Sequence, residues 1–274
     1  MQVEILDLVL GNAPFVIEEI DGLGAADIRT SSFLYSGRDG GDMPEQNYGF
    51  RDITISGQIL GDTCDHNQQL RKAYFDNLPI RTLLPVYVTT FNGERFVSYC
   101  KVIKPNCKYL KGGKDSEFLL QLRSGDPLFY STEGGDLQSA IVERTNDSGG
   151  YVTPYILPVE WEDGGAPTIV INSGNATAYP VIIIHDTTHD PILTNTATGE
   201  QFAVSINTND GDELVIDMLN RTLKLNGSDV IGNKVDGSTW WGLLEGNNPI
   251  RLDTDTGLDN GYAEITWRNG LTGI

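Results

Sequence analysis

Apolar and polar residues alternate in short runs over the first 130 positions, along Val3 to Val9, Phe15 to Ile17, Ile53 to Leu60, Val86 to Thr90, Arg95 to Ile103 and Glu117 to Arg123. A period of two places successive side chains on opposite faces, so each run predicts a strand buried on one side. Asn92-Gly93 and Gly112-Gly113 lie between such runs and predict hairpin turns. One segment has the helical period instead. Asp62 or Thr63 can cap it, Leu70, Ala73, Tyr74 and Leu78 share a face, and Pro79 ends it, so Leu70 and Tyr74 should pack on a sheet. From Ser131 to Pro158 the composition shifts to Ser, Thr, Gly and Asp, which predicts a connector with at most one strand, near Ala140 to Val142. Strand patterns resume at Ile169 to Ile171, Val181 to Ile184, Phe202 to Ile206, Glu213 to Ile216, Thr222 to Leu225, Ile250 to Leu252 and Ala263 to Trp267. The chain is thus expected to be mainly β: an N-terminal β-sandwich with one helix over 1–130, a protease-sensitive connector over 131–158, and a second β-sandwich over 159–274.

Charge narrows the partners. The 274 residues carry 38 acidic and 19 basic side chains, a formal net charge of −19, and the averaged field repels phosphate backbones. Specific nucleic-acid binding is therefore not expected. No run approaches the ~18 apolar residues of a membrane span, and Met1-Gln2-Val3-Glu4 does not open a basic-then-apolar leader, so the expectation is a soluble protein made in the cytoplasm. Cys64, Cys100 and Cys107 are odd in number and form no Cys-x-x-Cys pair, which reads as three reduced thiols.

Candidate chemistry is sparse. Ser36 to Asp42 is glycine-rich but lacks the Gly-Lys-Ser/Thr of a phosphate loop and reads as a turn between strands. Asp253 to Gly261 has alternating carboxylates that could converge on a cation. Its sixth and twelfth positions, Leu258 and Glu264, are not the glycine and loop glutamate of a helical calcium loop, so a polar hairpin loop is the competing reading. Asn207 to Glu213 is similar, with a hairpin turn at Asp210-Gly211. Asp163, Glu200 and Glu264 cannot be singled out as a glycosidase pair. His66, His185 and His189 have no nucleophile-elbow serine or zinc-helix motif, and His185-Asp186-x-x-His189 reads as an exposed polar loop. Trp161, Trp240, Trp241 and Trp267 could stack on sugars or fill a core. Trp267 alternates with Ile265 on a core face, whereas adjacent Trp240 and Trp241 cannot both face inward on an extended chain, and they remain the candidate glycan contacts. No catalytic residue, metal ligand or cofactor is predicted.

Ile216 to Gly227 reads as strand, polar turn and strand closing on Asn226-Gly227. It is followed by Ser238 to Ile250, with Trp240-Trp241-Gly242, and by Ala263 to Arg268. With Asn195-x-x-Thr198-Gly199 ahead of them, these pieces resemble in order and spacing the C-terminal half of the distal tail (Dit) proteins of long-tailed bacteriophages. Arg51 to Gly61, followed by Leu70-Arg71-Lys72-Ala73, is similar to the family's N-terminal strand and helix. The resemblance implies an N-terminal β-sandwich that assembles into a hexameric ring and a galectin-like C-terminal sandwich. It further implies a non-enzymatic hub at the virion tail tip, made in the host bacterial cytoplasm and joining the tail tube protein to receptor-binding proteins, with DNA passing through the lumen and Ser36 to Asp42 as a loop projecting toward a neighbouring subunit. The net charge adds an expectation of its own: acidic side chains lining such a lumen would keep the duplex from sticking, the competing reading being an acidic outer face for solubility. Of the galectin sugar motifs the chain offers Trp241 with Glu245 but no following arginine. A carbohydrate-binding module is the alternative function, and Trp240 and Trp241 would carry it.

Overall fold

The alternation seen in sequence becomes alternation in burial. Along Arg51–Leu60 every odd-numbered residue is buried, and along Leu84–Thr89 every even-numbered one is. The computed structural model describes residues 1–44, 46–133, 135, 137–144, 166–254 and 260–274. The chain is mainly β and divides into two units: Met1–Asp136 with Gly270–Ile274, and Leu137–Asn269.

The first unit contains β1 (Gln2–Ile5), β2 (Leu8–Leu10), β3 (Phe15–Asp21), β4 (Ile28–Arg29), β5 (Phe33–Leu34), β6 (Gly41–Asp42), β7 (Asn47–Tyr48), β8 (Arg51–Leu60), α1 (Cys64–Asp76), β9 (Leu84–Thr89), β10 (Arg95–Tyr109), β11 (Asp115–Ser124) and β12 (Phe129–Ser131). Its main sheet is antiparallel, in the order β2-β1-β9-β10-β11-β8-β3. The 15-residue β10 turns the corner. Its first residues pair with β9 as far as Cys100, its remainder pairs with β11, and a bulge falls between Val102 and Lys104. Val3, Ile5 and Leu10 from one end of the sheet thereby share a core with Ile53, Ile55 and Phe118 from the other. Within the sheet, Gly57 on β8 leaves room for its two neighbouring strands, because a Cβ there would lie 2.0 Å from the Val16 carbonyl oxygen on β3 and 2.9 Å from the Phe118 ring on β11.

Helix α1 forms as its sequence predicts. Thr63 caps it by accepting the His66 N–H at 3.1 Å, Tyr74 is buried against Phe118, and Leu70 packs at the core margin. The Asn92-Gly93 and Gly112-Gly113 turns join β9 to β10 and β10 to β11.

The second unit contains β13 (Gln138–Glu143), β14 (Thr168–Asn172), β15 (Val181–His185), β16 (Ile192–Asn195), β17 (Glu200–Ala203), β18 (Glu213–Asp217), β19 (Thr222–Leu225), β20 (Ser228–Asp229), β21 (Gly246–Asp253) and β22 (Tyr262–Trp267). A six-stranded sheet, β13-β22-β15-β18-β19-β20, faces a four-stranded one, β14-β21-β16-β17. Ile182, Ile216 and Ile265 from the first sheet and Val170, Leu193 and Leu252 from the second close one core between them. The last strand, β23 (Gly270–Leu271), belongs to the first unit, where it pairs with β12.

The expected boundaries of 1–130, 131–158 and 159–274 need correction at both ends. β13, read as an isolated strand in a connector, pairs with β22 over six residues and buries Val142, so the second unit begins at Leu137. At the C-terminus the chain leaves that unit after Asn269, which makes the second unit an insertion between two parts of the first. The connector between Arg144 and residue 166 lies outside the described residues.

Candidate assembly surfaces

Between β3 and β8 the chain leaves the main sheet and runs out and back as a thin arm. Two ladders of two residue pairs hold it, β4 with β7 and β5 with β6. The tip is Tyr35 to Gly40, where Tyr35 N–H donates to the Gly40 carbonyl at 3.1 Å and the Arg38 guanidinium sits 3.8 Å from the Tyr35 ring centre. The glycine-rich segment read from sequence as a turn is this tip, and Gly40 has φ +97°, a conformation L side chains rarely adopt. A two-stranded ribbon encloses no core, so its apolar side chains face solvent: Leu34 is 87% exposed and Met43 63%, and Ile28 and Phe33 are exposed beside them.

The root of the arm is fixed by a buried cation. Arg51, 1% exposed, donates from Nε to the Pro127 carbonyl at 2.8 Å, from Nη1 to the Gly22 and Gly24 carbonyls at 2.8 and 2.6 Å, and from Nη2 to the Thr272 carbonyl at 2.7 Å. Its guanidinium lies 4.2 Å from the Phe129 ring centre. Burial pulls its pKa below the ordinary value, but guanidinium stays charged, and four carbonyl dipoles satisfy it. Arg51 thus ties the segment after β3, the β11–β12 turn and the C-terminal residues into one unit. Nothing in the local sequence distinguishes it from an exposed strand arginine.

The candidate glycan contacts separate. Trp241 is 1% exposed and lies in the core of the second unit, while Trp240 is half-buried with its ring 4.5 Å from that of Phe202. One of the two indoles faces the core and the other keeps part of its ring at the surface, in keeping with adjacent residues that cannot both face inward. Trp267 fills the core as expected, and its Nε1–H donates to Asn269 Oδ1 at 3.1 Å.

The remaining sequence candidates do not converge. His185 ends strand β15 and is not in an exposed loop; it stacks on Tyr262 at 4.9 Å, with Glu264 Oε2 at 3.6 Å. His189 lies beyond it in a bridge with Asn207, and His66 Nδ1 accepts the Asp62 N–H at the start of α1. In the Asn207 to Glu213 turn the Asp212 carboxylate accepts Asn226 Nδ2–H at 2.7 Å and Asn209 N–H at 2.8 Å, and these bonds hold it below the usual carboxylate range. The Asp212 carboxylate is thus used on a donor of its own turn and on one from the turn after β19. Glu200 and Glu264 sit on different sheets. Among the described residues no group of His, Cys, Asp and Glu could hold a metal. Trp161, Asp163 and residues 255–259 of the acidic loop lie outside them. Cys100 is buried, which pushes its thiol up to about 11; Cys107 receives Arg71 Nη1–H at 2.9 Å; Cys64 is exposed. No described helix is long and apolar enough to cross a membrane.

Residues 173–270 match the family described as siphovirus-type tail component, C-terminal domain. No curated protein matches the chain. Among solved structures it is similar to the crystal structure of SPP1 Dit, described as a paradigm of the hub adsorption apparatus in phages infecting Gram-positive bacteria. The TM-score is 0.69 at 16% identity, over 97% of this chain and 98% of that one. It is also similar to a chain in the phage P2 baseplate in its activated conformation with Ca, at TM-score 0.47 and 11% identity, over 97% of each chain. Residues 173–270 therefore match a siphovirus-type tail component's C-terminal domain, and the chain over nearly its whole length has the fold of SPP1 Dit.

Proposed function

We propose that this protein is the structural hub of a phage tail tip, a ring, most simply of six copies, formed through the first unit. On one side it meets the tail tube protein and on the other the receptor-binding apparatus. The observation that carries this reading is the arm. Ile28, Phe33, Leu34 and Met43 lie on a ribbon too thin to cover them, and a neighbouring subunit is the cover that a symmetric assembly supplies to every copy at once. Charge fits a conduit. By sequence the first unit has 13 basic and 19 acidic side chains, hence −6, and the second has 6 and 19, hence −13, so the averaged field of an assembly repels a passing duplex. Among the tryptophans of the described residues, a carbohydrate-binding role would rest on Trp240.

The test replaces the arm, residues 30–46, with a short Gly-Ser linker. Negative-stain images of the full chain should show rings. The linker variant, with an unchanged circular dichroism spectrum, should show none. Rings of normal diameter from the linker variant would remove the arm from the assembly contact.

A further inference from the structure

The acidic average hides one basic ribbon. Lys101, Lys104 and Lys108 on β10, and Lys111 and Lys114 in the turn after it, are all exposed. No carboxylate falls between positions 101 and 114, and among the described residues none of the five lysines forms an ion pair.

These lysines lie on a strand edge. β9 accompanies β10 only to Cys100, so from Lys101 onward β10 is paired on one side, by β11. Register sets the faces. Val102 opposite Leu122 and Cys107 opposite Phe118 point toward the core, so Lys101, Lys104 and Lys108, opposite Arg123, Gln121 and Glu117, point outward. Following the rows across, Gln121 lies opposite Thr54 and Thr54 opposite Asp21; Leu119 lies opposite Ser56 and Ser56 opposite Glu19. The rows end on β3, whose ladder is with β8 alone, and Glu18, Glu19 and Asp21 are its exposed charged side chains. The four strands β10-β11-β8-β3 therefore have a basic edge and an acidic edge, about 15 Å apart at three interstrand spacings.

We propose that the basic edge of β10 docks on the acidic edge of β3 in a second copy, and that this complementarity sets the head-to-tail order of the ring; it rests on the ring reading above. Two features favour a second copy as the occupant. The charges that match the lysines are on the same chain at the far edge of the same sheet, so repetition brings them together in every copy. With four antiparallel strands, β10 and β3 run in opposite directions, so side-by-side repetition places them antiparallel across the contact. Opposite edges attract and like edges repel, which selects the heterologous contact that closes a ring over a two-fold dimer.

Edge reversal tests this on the full chain. One variant carries Lys104→Glu with Lys108→Glu, a second carries Glu18→Lys with Glu19→Lys, and a third carries all four changes. Mass photometry should show each two-site variant losing the ring, the four-site variant keeping it, and an equimolar mixture of the two-site variants regaining it, since that mixture sets the two substituted edges against each other and the two unsubstituted edges against each other, each pairing opposite in charge. The neutral pair Lys104→Gln with Lys108→Gln should weaken assembly without abolishing it, and raising NaCl from about 50 to about 500 mM should lower the ring fraction of the wild type. Wild-type rings that persist in every variant would overturn the proposal while leaving the ring reading intact; the lysines would then only guard an edge against aggregation. A wild type that never assembles would overturn both. Saturable binding of duplex DNA, lost in the Lys104→Glu, Lys108→Glu variant while assembly is unchanged, would give the edge to nucleic acid and overturn it as well.

Discussion

The two units use their polar groups and edges differently. In the second, two sheets close on one core, and acidic turn residues bind the turn's own N–H groups, as Asp217 does for Leu219 and Asn220 at 3.1 and 2.8 Å. In the first, a buried arginine joins three separated segments, an arm exposes apolar side chains, and two strand edges end in opposite charge. The second unit closes one core between its two sheets. The first has surfaces that a fold alone does not require, which is the pattern expected when one part of a chain assembles and the other is presented by it.

The largest effect that would sharpen this contrast is at Arg51. Arg51→Ala removes a buried guanidinium and the donors of four part-buried carbonyls, and should cost about 3–5 kcal/mol. All four tryptophans lie in residues 137–269, so their fluorescence reports the second unit. In urea, far-UV circular dichroism should show an early transition in this variant while the tryptophan transition stays in place. An equal shift of both signals would break the contrast. In the second unit, Trp241→Ala should cost about 3–4 kcal/mol and move the tryptophan transition, whereas Trp240→Ala, losing a half-buried ring, should cost about 1–2 kcal/mol.

Smaller effects sharpen individual sites. The buried Tyr74 hydroxyl has no hydrogen-bond partner among the described residues, and burial raises its pKa, so Tyr74→Phe should be neutral or stabilise by up to about 1 kcal/mol in thermal melts. The smallest effect belongs to Asp52. The Arg123 hydrogen bonds, both 2.6 Å, lower its pKa in the folded state. The stability it adds is therefore present above the unfolded carboxylate pKa and is lost as pH falls through the lower folded value. The pair is about half exposed, so Asp52→Asn should cost under about 1 kcal/mol at neutral pH, a difference that shrinks as the carboxyl is protonated in acid.

How much of this was legible in the sequence depended on the range of the interactions. Strands such as Arg51–Leu60 were readable because burial on one face imposes a period of two, and α1 because Thr63 and Pro79 mark its limits locally. β13 and β23 were misplaced because their membership depends on partners more than a hundred residues away, and the terminal Gly-Leu-Thr-Gly-Ile has no period. Of the arm only the tip, Ser36 to Asp42, was legible, as a turn between strands or a projecting loop, because the strands behind it are two residues long and show no period. Which indole of Trp240-Trp241 is buried, and that Arg51 is an anchor, are decided by tertiary packing.

The most direct measurement is the solution mass of the full chain beside that of residues 137–269 alone, both by light scattering. With six copies of a 30.0 kDa chain, the full protein should give about 180 kDa, and the isolated second unit should be a folded monomer. A monomeric full chain, or a second unit that forms the ring by itself, would contradict the assignment of assembly to the first unit.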